Sequence, residues 1–534
     1  MGESKVATII VQDRFEPSRE TGREGHIFED PKVAKHYAEL YEEAKYEGRH
    51  RFDPEFEWEP EEEKVVKRKV EFGVLLWAFI MFVALDFDRN NLSQATADDM
   101  LTDLNLTTND YNTGNTVNLV CFLLAELPSQ LISKWIGPDR WIPIQMCVFS
   151  VIGISQSQLK GKTGFLVTRA MLGIFQGGFI PDVCLWFSYF YTSYELPLRF
   201  ALFYAANPFT SAVGSLLSYG IFHLSGVNGW EGWRWLFFIE GFFTLVIGIL
   251  SFGLMPASPC QTKTVFYRKS WFTERQEKIL VNRILRDSPE KGLLNNRTAI
   301  DIRGLLIAIK DYDMWPIYLN RLVADLSPGP VSTYLSLTLR HLGFSPFNTA
   351  LLSVPINVTS ILTMICIPLL ARLLKSNSLA FMLKAIWLLP CMIALRFWSG
   401  AQVDIWATYA LLFIILAVPA TGYQGVSWCS SNANSVKTRT VGTAIHNMGA
   451  QLAGIISANI YRKDDAPLYH RGNVVIIILV ALEFVMNFYA YFYFKWRNSQ
   501  KERKWSSMTP EEQVDYVHTT TDEGNKRLDF RFVL

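Results

Sequence analysis

Several apolar stretches of this chain contain ionisable side chains, which are costly to place away from water and therefore point to chemistry. The first stretch ends in Leu85-Asp86-Phe87-Asp88-Arg89-Asn90-Asn91-Leu92. Later stretches hold Glu126, Arg169, the pair Arg321 and Asp325, and Glu483. An arginine keeps its charge when buried and grips a carboxylate or sulfonate through a two-pronged fork. An aspartate or glutamate can take up and release a proton as its surroundings change. Arg89 and Arg169 are therefore candidate anion ligands. Asp88, Asp86, Glu126 and Asp325 are candidate proton carriers. A structural reading stands beside this one: Arg89 then only neutralises Asp86 or Asp88, and Arg321 only pairs with Asp325 one helical turn away. Polar and aromatic residues in later stretches, namely Asn357, Gln424, Trp428 and Asn447, are further candidates for substrate contact, and His446 is a lone histidine among them. Backbone breaks at Pro328-Gly329-Pro330 and at Pro419 and Gly422 interrupt two apolar runs. Proline removes a helix hydrogen bond, so these positions are candidate gates.

The elements that carry these residues follow from composition. The chain has 534 residues, half of them hydrophobic, and a net charge of +1. Sixty-four of its 101 charges fall in 1–71, 257–312 and 495–534, leaving two long charge-poor blocks. That pattern indicates an integral membrane protein and excludes disordered and collagen-like classes. Near-neutral charge excludes a general nucleic-acid binder. With ~20 apolar residues needed per crossing, the expected spans lie near 72–95, 112–133, 141–159, 164–183, 200–222 and 234–255. Six more follow near 313–337, 348–370, 379–398, 406–428, 440–460 and 473–494. The expected fold is an all-α membrane protein of 12 transmembrane helices in two six-helix halves. Its expected parts are an N-terminal tail (1–71), a first bundle (72–256), a linker (257–312), a second bundle (313–494) and a C-terminal tail (495–534).

An even number of spans puts both tails on one side. Short loops alone nearly balance in basic residues, but Lys64, Lys67, Arg68 and Lys69 before the first span and Lys495, Arg497, Lys501, Arg503 and Lys504 after the last make the tail side cytoplasmic. Of the two sequons, Asn105-Leu-Thr is the better glycosylation candidate, because Asn91-Leu-Ser lies close to the bilayer. The seven cysteines show no metal-ligand spacing and read as small buried residues. No phosphate loop, nucleophile motif or His/Glu metal constellation is present, which argues against an enzyme and against ATP-driven transport. Arg199, Asn207 and Gly214 recur in spacing as Arg439, Asn447 and Gly454, at the start of the fifth and eleventh spans. Related halves of this kind place a binding site between them at midplane.

These motifs carry a family resemblance. Leu-Asp-Phe-Asp-Arg-Asn-Asn-Leu resembles the signature of the anion:cation symporter branch of the major facilitator superfamily. Gly137-Pro138-Asp139-Arg140 is a degenerate form of that superfamily's loop motif. Trp233-Arg234-Trp235-Leu236-Phe237-Phe238-Ile239-Glu240-Gly241 and Asp465-Ala466-Pro467-Leu468-Tyr469 are similar to motifs of the fungal allantoate permease family. The tail segments Arg51–Phe56, Arg503–Thr509 and Lys526–Phe532 resemble the branch that includes the yeast sulfonate and inorganic sulfur transporter. The resemblance implies a proton site at Asp88, substrate arginines at Arg89 and Arg169, and an altered position at Gln176, where many relatives carry a second titratable Glu.

The expected function is secondary active, proton-coupled uptake of a small organic anion or sulfur oxyanion by alternating access, at the plasma membrane, by a monomer. The partners expected are the anion, protons and the lipid bilayer, with no cofactor, metal or nucleic acid. The alternatives are a carboxylate or vitamin permease of the same family (allantoate, nicotinate, pantothenate, biotin) and a nutrient sensor that binds without transporting.

Overall fold

Apolar sequence and helix-end chemistry together set the segment boundaries. The computed structural model describes residues 26–534 apart from 96–99, 293–305 and shorter stretches that include 419–420, 434–435 and 458–459. Pro419, a candidate gate, lies outside the described residues. The described helices group into twelve apolar segments. The first six are Leu76–Ala95; Thr108–Ile136; Pro138–Ser155; Lys162–Gln176 with Phe179–Ser188; Leu196–Tyr204 with Ala206–Phe222; and Gly232–Leu254. The next six are Trp315–Leu326 with Gly329–Thr333; Pro346–Leu374; Asn377–Phe397; Ile405–Leu416 with Gly422–Ala433; Val436–Ser457; and His470–Ser506. Seven helices among the described residues are long and apolar enough to cross a membrane unbroken. The fourth, fifth, seventh and tenth segments are each made of two helices.

Local chemistry explains the ends. Thr107 and Asp110 form a capping box that starts the second segment. Gly137, at φ 100°, ends it in a backbone conformation that glycine adopts at low cost, and Pro138 starts the third. The first segment begins earlier than its apolar run. Pro60–Val70 passes through the π turn Glu71–Leu75 into Leu76–Ala95 without a break. The last segment likewise outruns its apolar stretch by twelve residues, because Lys and Arg sustain a helix once it leaves lipid. Large apolar side chains such as Leu124, Leu362, Phe397, Ile478 and Val485 face outward, as a lipid-facing surface requires.

The motifs quoted above tie segment ends together. The Trp233 indole donates to Asp103 at 2.8 Å, and Arg234 donates to the Ser157 carbonyl at 2.6 Å. Asp465 accepts from the Gly472 backbone at 2.9 Å, and Tyr461 stacks on Tyr469. Asn91 is fully buried, whereas Asn105 is exposed.

On the tail side, helices Pro31–Glu43, Pro60–Val70 and Glu274–Asp287 form a polar layer. Buried Arg283 pairs with Glu63 and Glu195, and Lys67 joins the same carboxylates at 3.0 and 3.4 Å. Burial alone would raise the Glu195 carboxyl, but Arg283, Arg199 and Lys67 hold it down to about 2. The C-terminal segment folds back onto the twelfth helix. Asn498 makes two hydrogen bonds to the Phe532 backbone, and Phe532 stacks on Phe494.

Candidate functional site

Among the described residues, two polar clusters within the membrane segments begin on the first segment. That helix presents Asp86 and Arg89 to one side and Asp88 to another, as a 100° step per residue dictates.

The first cluster spans the two groups of six segments. Glu126, fully buried on the second segment, accepts from Asn447 of the eleventh at 2.6 Å. Its other oxygen is buried without a hydrogen-bond partner. Asp182, Arg89 and Arg321 all lie within electrostatic reach of this carboxylate, and Arg89 also reaches Asp86 and Tyr204. The Arg89 guanidinium is 3.8 Å from Asp86, too far for a strong hydrogen bond, and its Nη2 has no partner. Asn207 lies beside Asp86. The two asparagines of the spacing repeat, Asn207 and Asn447, thus each neighbour a carboxylate of this cluster, and Asn447 hydrogen-bonds its own.

Arg321 makes a two-pronged pair with Asp325, both contacts at 2.9 Å. Gly422 gives it room: a Cβ there would collide with the Arg321 guanidinium. A Cβ at Gly425 would stand 2.6 Å from the His446 Nε2. The glycines of the tenth segment therefore admit these two side chains close to its backbone.

The second cluster lies within the first six segments. Asp88 is 1% exposed, and neither carboxylate oxygen has a hydrogen-bond partner. It faces Gly153 of the third segment, where a Cβ would stand 3.6 Å from Oδ1. Arg169 and Glu240 are its charged neighbours. Arg169 donates to Gln156 and leaves Nε unpaired, and both oxygens of Glu240 are also unpartnered. Gln176 is buried on the same helix as Arg169, with its Nε2 unsatisfied.

Other sequence-selected residues sit elsewhere. Gln424 donates to Asn377 at 2.6 Å, and the Trp428 indole donates to the Val533 carbonyl at 2.7 Å. Both lie at the tail-side end of the tenth segment, apart from either cluster. Gln424 lines a small pocket with Tyr194, Arg372, Asn377 and Val533. Asn357 is half-buried on Pro346–Leu374. Pro328 forms the break in the seventh segment, and Gly329 and Pro330 begin the helix beyond it.

Three buried ionisable groups escaped the sequence reading. Glu240 stood inside a quoted motif. Asp182, which accepts from Gln130 at 2.6 Å and Ser129 at 3.2 Å, and Lys384, which pairs with Glu483 at 3.0 Å, are each a single charge in an apolar run. That isolation was the available signal.

The model of the Major Facilitator Superfamily matches residues 78–458. A Saccharomyces cerevisiae protein named as an uncharacterized transporter is 44% identical over 508 residues, covering 95% of this chain and 94% of that one. The MFS-type transporter cnsO of Penicillium expansum is 26% identical, covering 88% of this chain and 90% of its own. Among solved structures, the proton:xylose symporter XylE bound to 6-bromo-6-deoxy-D-glucose superposes with a TM-score of 0.59 at 16% identity, covering 79% of this chain and 95% of that one.

Proposed function

Because this chain belongs to the Major Facilitator Superfamily, an all-helical family of membrane transporters, we propose that it carries a small organic anion or sulfur oxyanion together with protons, by alternating access. The observation that supports this most is that Glu126 of the first six segments is hydrogen-bonded by Asn447 of the other six, with Arg89 and Arg321, one from each group, within electrostatic reach. Two guanidinia from different halves thus act on one internal carboxylate. A substrate anion would take the place of Glu126 between them, gripped by Arg89 Nη2 and by the fork that Asp325 now occupies.

The charges make coupling a consequence of binding. Arg89 and Arg321 contribute two positive charges, and Asp86, Glu126, Asp182 and Asp325 contribute four negative ones when ionised. An entering anion adds a further negative charge in a poorly solvated space. Protonation of a carboxylate relieves this, and Glu126 is the one the anion displaces. Arg169 is assigned to coupling rather than to substrate, because it is spent on Gln156 and faces Asp88. Asp88 and Glu240 are then the proton acceptors of the second cluster, at a site where Gln176 cannot titrate. In this reading the tails are cytoplasmic, transport is into the cell across the plasma membrane, and the carrier acts as a monomer.

The test is uptake by the purified protein in liposomes, with methanesulfonate, thiosulfate and nicotinate as probes, under an imposed proton gradient. Accumulation of one of them that collapses with an uncoupler is the expected result. Binding without any flux would favour a sensor instead.

A further inference from the structure

The seventh segment has a second polar face, and the anion site does not use it. Its helix Trp315–Leu326 ends where Pro328 lacks an N–H, so the Ala324 carbonyl loses the donor that a continuous helix would supply four residues on. Two side chains take its place: the Lys384 ammonium, from the ninth segment, donates to that carbonyl at 2.8 Å, and the Ser327 hydroxyl donates to it at 3.2 Å. The same ammonium pairs with Glu483 of the twelfth segment at 3.0 Å, and both side chains are at most 2% exposed. The Ser327 hydroxyl, at the break, reaches the other Glu483 oxygen at 3.3 Å. Two turns nearer the start of the helix, Asn320 donates to Asn487 at 2.8 Å, and Asn487 donates to the Glu483 carbonyl at 2.9 Å. A polar seam therefore runs down one face of the seventh segment, while Arg321 and Asp325 project from another.

Burying a lysine and a glutamate together contributes little net stability, because desolvation offsets their attraction. Their placement against a carbonyl that has lost its backbone donor, with Lys384 as the shorter of its two side-chain donors, gives the pair a different purpose. We infer that Lys384 and Glu483 form a strut that holds the broken seventh segment at a fixed angle and rotation and so positions Arg321. Lys384 is a positioning residue that touches no substrate. The strut deepens the anion-site reading, on which only its link to Arg321 rests.

The experiment uses the proline itself. The pair is removed together as Lys384→Met with Glu483→Leu, which strands no charge, in a Ser327→Ala background that removes the other side-chain donor to Ala324, in the full chain purified into nanodiscs. Backbone amide exchange is read over residues 321–332. Exchange there should quicken by about tenfold or more, the factor for one unsatisfied buried carbonyl. Adding Pro328→Ala returns an N–H for Ala324 and should bring exchange back towards that of Pro328→Ala alone. If the paired variant is not recovered as folded protein, its recovery on adding Pro328→Ala is the expected rescue. Exchange unchanged in the paired variant, or no relief from Pro328→Ala, overturns the strut. Methanesulfonate, thiosulfate and nicotinate binding, read as thermal shifts, separates the two readings. The strut predicts weaker binding of whichever probe binds in the paired variant, with rescue by Pro328→Ala. Arg321→Gln with unaltered probe binding would sink the anion site and leave the amide-exchange result standing.

Discussion

Glu126→Gln is the substitution that most sharply separates an internal competitor from a structural hydrogen-bonding group. The change is nearly isosteric, and the Gln carbonyl can still accept from Asn447, whose present bond is 2.6 Å. What disappears is one negative charge within electrostatic reach of Arg89 and Arg321. For a bound anion roughly 6 Å from that charge, an effective dielectric of ~20 gives about 2.8 kcal/mol of repulsion removed, or roughly 100-fold in affinity. Shielding by the two guanidinia reduces this, so a gain of about ten- to a hundred-fold is expected. The gain should be largest at high pH, where the native carboxylate is ionised, and should vanish at low pH. Thermal-shift titration of whichever probe is transported, from pH 5 to 8, reads the affinity. Uptake against a gradient should fall at the same time, because the displaced group no longer carries a proton. Unchanged affinity across this range, with concentrative uptake intact, would refute the competition.

The other predictions address separate parts of the molecule. Asp88→Asn should abolish accumulation while sparing counterflow exchange, and Glu240→Gln should weaken the pH dependence of uptake; full concentrative uptake by Asp88→Asn would remove that cluster from the mechanism. Arg283→Met should cost up to about 3–5 kcal/mol, since it leaves buried Glu63 and Glu195 to share Lys67 as their remaining salt-bridge partner, and calorimetry of the purified protein measures it. The depressed Glu195 carboxyl contributes stability that is present above about 4.5 and is lost as pH falls towards about 2, so amide exchange in Glu274–Asp287 should quicken across that window. Trp428→Phe keeps an aromatic ring but removes the shorter of the two donors to the Val533 carbonyl, leaving Asn432, so proteolysis of residues 524–534 should accelerate while probe affinity stays the same.

Much of the fold was legible because apolar length is a strong signal. Charge segregation located both blocks, and the proline-rich break in the seventh segment was visible as Ser327-Pro328-Gly329-Pro330. Helix ends were less legible. The twelfth helix continues to Ser506, since loss of hydropathy marks the edge of lipid and not the end of a helix. The charged residues of the candidate site were also visible singly, but their partners were not. Arg321 looked paired with Asp325 by its four-residue spacing, and it is, yet its approach to Glu126 comes from a segment 195 positions away. Lys384 and Glu483 lie 99 residues apart, and no helical periodicity links them. Trp428 and Gln424 were read as substrate contacts from polarity alone. In the structure their hydrogen bonds go to Val533 and Asn377, contacts that a local pattern cannot encode.

The central claim is that one anion and at least one proton cross together through a site built on Arg89 and Arg321. It is tested most directly by recording anion uptake and internal pH in the same liposomes, containing purified protein and no imposed proton gradient. An inward gradient of whichever probe is carried should acidify the interior at a rate proportional to anion entry, and both signals should be lost in Arg321→Gln. Anion entry that leaves the internal pH unchanged, with the membrane potential clamped, would contradict the account.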